Sequence, residues 1–303
     1  LDGPHVATEL WYNNILGSLS KLTDSTTLEY KPQVAGFMGY LGREGMFVSQ
    51  QRVLEEAAEE NRVLQWFEGL DDSLGSTAAY FDGIEEILAA SDPEGYQPCS
   101  EASWFVAGAE GYRKHLNDVD PEGTFVDAQG TVQANCDIHP SGAVWVNKLA
   151  REQKAAGEVK WCVPLLTSAG YGVQFFLSQS TMWNMPVCVI NYKWGHYVTQ
   201  GKRFKALMYW WWPDQTFEAN RPVQIVGLPQ DGLQHADLNY YTPPDNTPTA
   251  TLTNPLLNLD PDLGTPIFLF LKQYRVETRD MLEMLQYLLA GATVREAACS
   301  WIR

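Results

Sequence analysis

Apolar residues recur along this chain with two different periods, and the alternation between them separates strands from helices. Residues 160–166 (KWCVPLL), 186–194 (PVCVINYKW), 205–212 (KALMYWWW) and 223–229 are runs of strand length, and the first two are buried-strand candidates. Between the first two, residues 175–183 read as a helix, so this region has the strand, helix, strand order of an α/β lobe. Helical spacing dominates elsewhere. Val53, Ala57, Leu64 and Phe67 share one side of a helix over 53–67, and Glu55, Glu56, Glu59 and Glu60 form its solvated face. A helix over 78–89 carries Tyr80, Ile84, Ile87 and Leu88 and stops before Asp92-Pro93. Another covers 141–156 and ends at Gly157. Two helices close the chain: 277–290, apolar through Met281, Leu285 and Leu288, and a short one from Thr293. In the latter, Thr293 and Glu296 have the spacing of a capping box.

The remaining stretches are less periodic. Residues 1–16 read as a strand end running into a helix. Residues 34–48 contain four glycines among aromatics, which predicts tight backbone turns, with Arg43-Glu44 set between Gly42 and Gly45. Residues 91–140 are irregular and acidic, with one helical candidate at 111–117, and read as a long insertion or hinge. Residues 230–262 form a polar loop rich in Pro, Asn and Asp.

The strand KALMYWWWPDQTF (205–217) is the centre of the pattern. Side chains alternate along a strand, so Tyr209 and Trp211 face one way, Trp210 and Trp212 the other, before Pro213 ends the run. One pair is therefore free for something besides packing. Strand ends in α/β sheets are ligand positions, and clustered tryptophans there suit an organic cation held by ring faces.

Composition narrows the partners. Thirty-seven acidic against 21 basic residues give a formal charge of −16, which argues against nucleic acid and anionic membrane as partners because both require a positive footprint. The 11 Trp, 14 Tyr and 12 Phe residues fit carbohydrate or quaternary-ammonium recognition, and equally a bulky core. No nucleotide loop, nucleophile elbow or metalloprotease motif is present, and the five histidines stand apart from one another and from the cysteines. No catalytic residue, metal or cofactor is expected, and a binding protein fits better than an enzyme. Cys162 and Cys188 lie in apolar runs and read as buried thiols. Cys99 and Cys136 lie in polar sequence and are candidates for a disulfide in an oxidising compartment.

Four short segments resemble one family. The terminal FLKQYRVETRDMLEMLQYLLAGATVREAACSWIR, with Glu296-Ala297-Ala298 and Trp301, GYLGREGMFV at 39–48, YWWWPD at 209–214 and ELW at 9–11 together resemble the glycine betaine/proline-betaine substrate-binding proteins of ABC transporters. The resemblance implies an α/β, two-lobed type II periplasmic-binding fold. Residues 1–48 would belong to lobe 1, 49–204 to lobe 2 with an insertion around 91–140, and 205–303 would return to lobe 1. It also implies an aromatic box between the lobes, built from Trp11, Tyr209, Trp211 and Trp212, with Arg43 for the ligand carboxylate and Trp183, Trp194 and His196 as further candidates. The partners implied are a small zwitterion and a membrane permease, with an extracytoplasmic location, periplasmic or at the cell surface.

Two departures point elsewhere. The chain opens almost at the ELW position, so the first lobe would be incomplete, and residues 91–160 have no counterpart in the family pattern. These features suit a non-catalytic structural subunit that reuses a solute-binding fold within a larger assembly, organellar in that case.

Overall fold

The structure is a computed structural model, and it describes residues 6–11, 33–48, 81–102, 110–136, 139–168, 177–178, 180–181, 185–212, 214, 224–226, 247–253 and 264–302. In chain order the elements are β1 (Val6–Trp11), β2 (Gln33–Val48), α1 (Ile84–Ala90), α2 (Glu110–Val119), β3 (Thr124–Val126), β4 (Val132–Ala134), β5 (Val144–Val146) and α3 (Lys148–Ala155). There follow β6 (Val163–Ser168), β7 (Val187–Tyr192), α4 (Trp194–Arg203), β8 (Leu207–Trp212), β9 (Gln224–Val226), β10 (Thr247–Thr253), α5 (Gly264–Gln273), α6 (Thr278–Leu289) and α7 (Val294–Ile302). The fold is mixed α/β, with both parallel and antiparallel strand pairs. Two compact units divide the chain: Leu1–Glu44, Trp211–Gln215 and Pro243–Arg303 form one, Gly45–Trp210 and Thr216–Thr242 the other.

In the larger unit β6 pairs in parallel with both β7 and β8, and β5 joins β7 antiparallel as an edge. Every residue of β6 and β7 is buried. Such strands are covered on both faces, which is why VPLLTS and VCVINY are near-continuous apolar runs. One face carries Val163, Leu165, Val187, Val189, Leu207 and Tyr209 into the main core, where Trp145, Leu116 and Met46 join them. The opposite face presents Trp210, on which the Trp194 and Tyr197 rings of α4 lie. β9 pairs with the Met46–Val48 end of β2.

Asp120 ties the 110–136 segment to α3. Its carboxylate is 1% exposed, accepts the N–H groups of Gly123 and Lys148 at 2.9 Å each, and takes a hydrogen bond from the Arg151 guanidinium. The smaller unit has β10 between β1 and β2, all antiparallel. Gly36 and Gly39 on β2 let the segment after α5 come close: a Cβ at Gly36 would sit 3.2 Å from the Lys272 carbonyl oxygen, and one at Gly39 equally near that of Val276. Met38, Tyr40 and Val276 form this unit's core, with Met281, Met284 and Trp301 packed against it.

Several sequence expectations require correction. Residues 34–48 are one long strand, in which Gly39 has a positive φ, of 105°. The helix expected from residue 78 begins at Ile84, since Asp82 is tied to Lys205 instead, donating its N–H to the Lys205 carbonyl and accepting the Lys205 N–H on its carboxylate. The helix over 141–156 is split into β5 and α3 by Asn147, whose Oδ1 accepts the Ala150 N–H and caps α3. The 230–262 loop contains β10, and α5 was not foreseen. The 91–140 stretch holds α2 and the β3–β4 hairpin, closed by a Cys99–Cys136 disulfide. Cys162 and Cys188 are bonded to each other rather than free, because β6 and β7 run in register and bring them together. The 277–290 helix and the Thr293–Glu296 box are present, the latter with the Glu296 carboxylate on the Thr293 N–H and hydroxyl. In the 175–183 region Leu177, Ser178, Ser180 and Thr181 are helical, and the 53–67 helix lies outside the described residues. Among the described residues, no helix is long and apolar enough to cross a membrane.

Candidate functional site

The parallel strands of the larger unit end at a polar edge. Continuing the core-facing register of Leu165 and Val189, the next residues are Thr167 and Asn191, which pair across β6 and β7 and are fully buried. Here the apolar stripe changes to side chains with hydrogen-bonding atoms. Asn191 donates from Nδ2 to the Gln97 carbonyl at 2.7 Å, while its Oδ1 is buried without a partner.

β7 runs into α4 through Lys193, which makes no side-chain cap for the first-turn N–H groups that every helix leaves without an intrahelical acceptor. Residues 92–102 cross this junction. Gln97 donates its N–H to Asn191 O at 3.1 Å, Lys193 N–H donates to Gly95 O at 2.9 Å, and Lys193 Nζ donates to Glu94 O at 2.8 Å. Gly95 is required at this crossing, because a Cβ there would stand 2.6 Å from His196 Nδ1.

Aromatic rings crowd both sides of the crossing. Trp194, at the first position of α4, is 50% exposed and stacks on Trp210, itself 1% exposed, with centroids 5.5 Å apart and an interplanar angle of 17°. Tyr197 lies against the same Trp210 ring and donates its hydroxyl to the Tyr209 carbonyl. Tyr96 stacks on Tyr192 at 5.3 Å and meets His139 edge-on at 5.9 Å. Burial raises the pKa of Tyr192 well above the ordinary phenol value despite its hydrogen bond to Ser91, and burial raises that of Tyr96 as well. Both phenols are neutral at physiological pH. Burial, with Lys154 adding to it, lowers the pKa of His139, whose Nδ1 accepts the Ser141 N–H.

Of the residues expected to form the box, the structure describes the side chains of Trp194, His196, Tyr209 and Trp211. Trp194 and His196 share the first turn of α4. Tyr209 is buried in the main core and its ring packs there. Trp211 is half-buried at the end of β8. Trp11 lies on β1, Arg43 on β2 and Trp212 on β8, with side chains outside the described residues; Trp183 is wholly outside them. Sequence reasoning passed over Trp210, Tyr197, Tyr96 and Tyr192. Strand alternation had already put Trp210 on a different face from Tyr209, but which face receives a helix is a tertiary fact.

Chemically, the α4 end offers a half-exposed indole beside backbone donors, a combination suited to a cation and a neighbouring anion. Among the described residues, no group of three or more His, Cys, Asp or Glu side chains could hold a metal ion. Compared with family models, with curated proteins and with solved structures, the chain matches none.

Proposed function

We propose that this chain is a binding module for a small quaternary-ammonium zwitterion of the glycine betaine kind, a two-lobed protein of the type II periplasmic-binding class. It would act outside the cytoplasm and hand its ligand to a membrane permease. The observation that carries this reading is Trp194, half-exposed yet fixed in orientation by its stack on the buried Trp210. A preorganised indole face costs little side-chain entropy when a cation settles on it, and each such ring contributes about 0.5–2 kcal/mol. The ligand carboxylate would take the first-turn N–H groups of α4, where a helix end favours negative charge. The two compact units and the two disulfides, which form and persist in oxidising compartments, support the class and the location.

Calorimetric titration with glycine betaine, proline betaine and choline tests this reading. Saturable binding of one of them, weakened about tenfold or more in Trp194→Ala, is the expected result. No heat from any of the three with a folded sample refutes the quaternary-ammonium ligand, and binding unchanged by Trp194→Ala removes α4 as its seat.

A second reading, a non-catalytic subunit of a larger assembly, is favoured by one observation. Leu269 and Phe270 on α5, with Val294 and Ile302 on α7, are exposed. Apolar surface of this kind is covered in complexes. Light scattering on the native chain separates the two readings, since a monomer stable at high concentration opposes the subunit reading.

A further inference from the structure

The four bonded cysteines differ in access. Cys162 and Cys188 are 2% and 0% exposed, and Cys136 is nearly as enclosed, whereas Cys99 is half-buried at the surface. Thiol–disulfide exchange requires an attacking thiolate to reach a sulfur, so Cys99 offers an approach that the Cys162–Cys188 bond does not. Cys99 also sits at one end of the segment that crosses the β7–α4 junction.

That segment is attached at three places. At its start, Gly95 and Glu94 carbonyls hold Lys193. In the middle, Gln97 exchanges hydrogen bonds with the Asn191 backbone and side chain, and Tyr96 stacks on Tyr192. At its end, the Cys99 N–H donates to Gly142 O at 2.8 Å and the sulfur is bonded to Cys136. Only the last of these attachments is covalent. Beneath the middle lies the Asn191 Oδ1, a buried acceptor with no partner. An unpaired acceptor weakens the closed arrangement, because opening would hydrate it.

We propose that residues 92–102 are a strap over the carboxyl end of β7, latched by the Cys99–Cys136 disulfide and loosened when a thiol reductant opens that bond. A dithiol supplies the two electrons: one thiolate attacks the bridge to form a mixed disulfide and frees one cysteine thiolate. The second thiol of the reductant then displaces the other cysteine, leaving two protein thiols and an oxidised cyclic disulfide. The surrounding segment survives the loss because Asp120 holds it to α3 and the Trp145 indole N–H donates to Gly123 O at 2.9 Å. The consequence is redox control over access to Asn191 and the first turn of α4, and it stands whether or not that turn binds a zwitterion.

The test treats the native, oxidised chain with graded dithiothreitol, maps alkylated cysteines by mass spectrometry, and follows amide hydrogen exchange on the same samples. Cys99 and Cys136 are expected to be alkylated together while Cys162 and Cys188 stay protected. At that point the N–H groups of Gln97 and Lys193 should exchange about tenfold faster or more, with Val163, bonded to Pro186 O beyond the strap, unchanged. The double variant Cys99→Ser/Cys136→Ser should reproduce the fast exchange without reductant. Three results overturn the proposal: Cys162–Cys188 opening with or before the outer bond, Gln97 and Lys193 unchanged once Cys99 and Cys136 are reduced, or Val163 losing protection in step with them. Should the double variant not fold, the in situ reduction decides by the same criteria.

Discussion

Removal of the Asp120 carboxylate is the sharpest perturbation of the larger unit. In Asp120→Ala, the N–H groups of Gly123 and Lys148 and the Arg151 guanidinium lose the carboxylate together, although Gly123 keeps the Asp120 carbonyl and Arg151 the Val146 carbonyl as acceptors. Breaking a buried, hydrogen-bonded ion pair by deleting one partner costs about 3–5 kcal/mol. The Arg151 side chain is 21% exposed, so water recovers part of that, and about 3 kcal/mol is expected. Asp120→Asn keeps one acceptor oxygen but not the charge, and should cost about 2 kcal/mol. For a domain of about 150–250 residues each kcal/mol moves Tm by about 2–4 °C, so Asp120→Ala should lower the larger unit's transition by about 6–12 °C. Calorimetry on the oxidised chain reads this directly and can separate transitions if the two units melt independently. A double-mutant cycle with Arg151→Ala then isolates the pair, with a coupling of about 1–3 kcal/mol expected. A cost under about 1 kcal/mol for Asp120→Ala, or a coupling near zero, would refute the view that this carboxylate anchors the segment.

Three further outcomes follow from the same geometry. Gly95→Ala should destabilise by about 1–3 kcal/mol, since its Cβ meets the His196 ring, and Gly95→Ala/His196→Ala should recover most of that loss in urea unfolding. Trp210→Ala should cost about 3–5 kcal/mol and also release Trp194, seen as a red-shifted, more quenchable fluorescence component. Because the folded state holds the His139 pKa below the ordinary value, its contribution is present above the unfolded-state pKa of about 6.5 and is lost as pH falls through the folded one. Unfolding free energy measured between pH 7.5 and 5 should therefore decline on acidification, and less steeply in His139→Gln.

How much of this was legible beforehand depends on how local the cause is. Strands 187–192 and 207–212 fall within stretches expected as strands and 163–168 overlaps one expected over 160–166, since a buried strand reads as a near-continuous apolar run. The Thr293 capping box was equally readable, because both partners lie within one helical turn. Helix 141–156 was misread since its pattern was scored without Asn147, whose buried amide caps α3 and also bonds the Met185 carbonyl and the Val187 N–H. Strand β10, a threonine-rich run in a polar stretch, owes its conformation to its neighbours β1 and β2. The Cys162–Cys188 bond escaped notice because strand register is not written in either strand alone.

For the candidate site, the sequence by itself determined that an aromatic cluster would stand at the end of 207–212; it counted Trp194 as the end of a strand over 186–194, where the structure instead begins α4. Only the tertiary structure decided which rings are spent on the core, as Tyr209 is, and which ring supports an exposed one, as Trp210 does. It alone brought residues 92–102, about ninety positions away in the chain, across the β7–α4 junction. The physical reason is that periodicity fixes the face of an element on which a side chain lies, whereas the partner that covers that face is chosen by packing between elements distant in sequence.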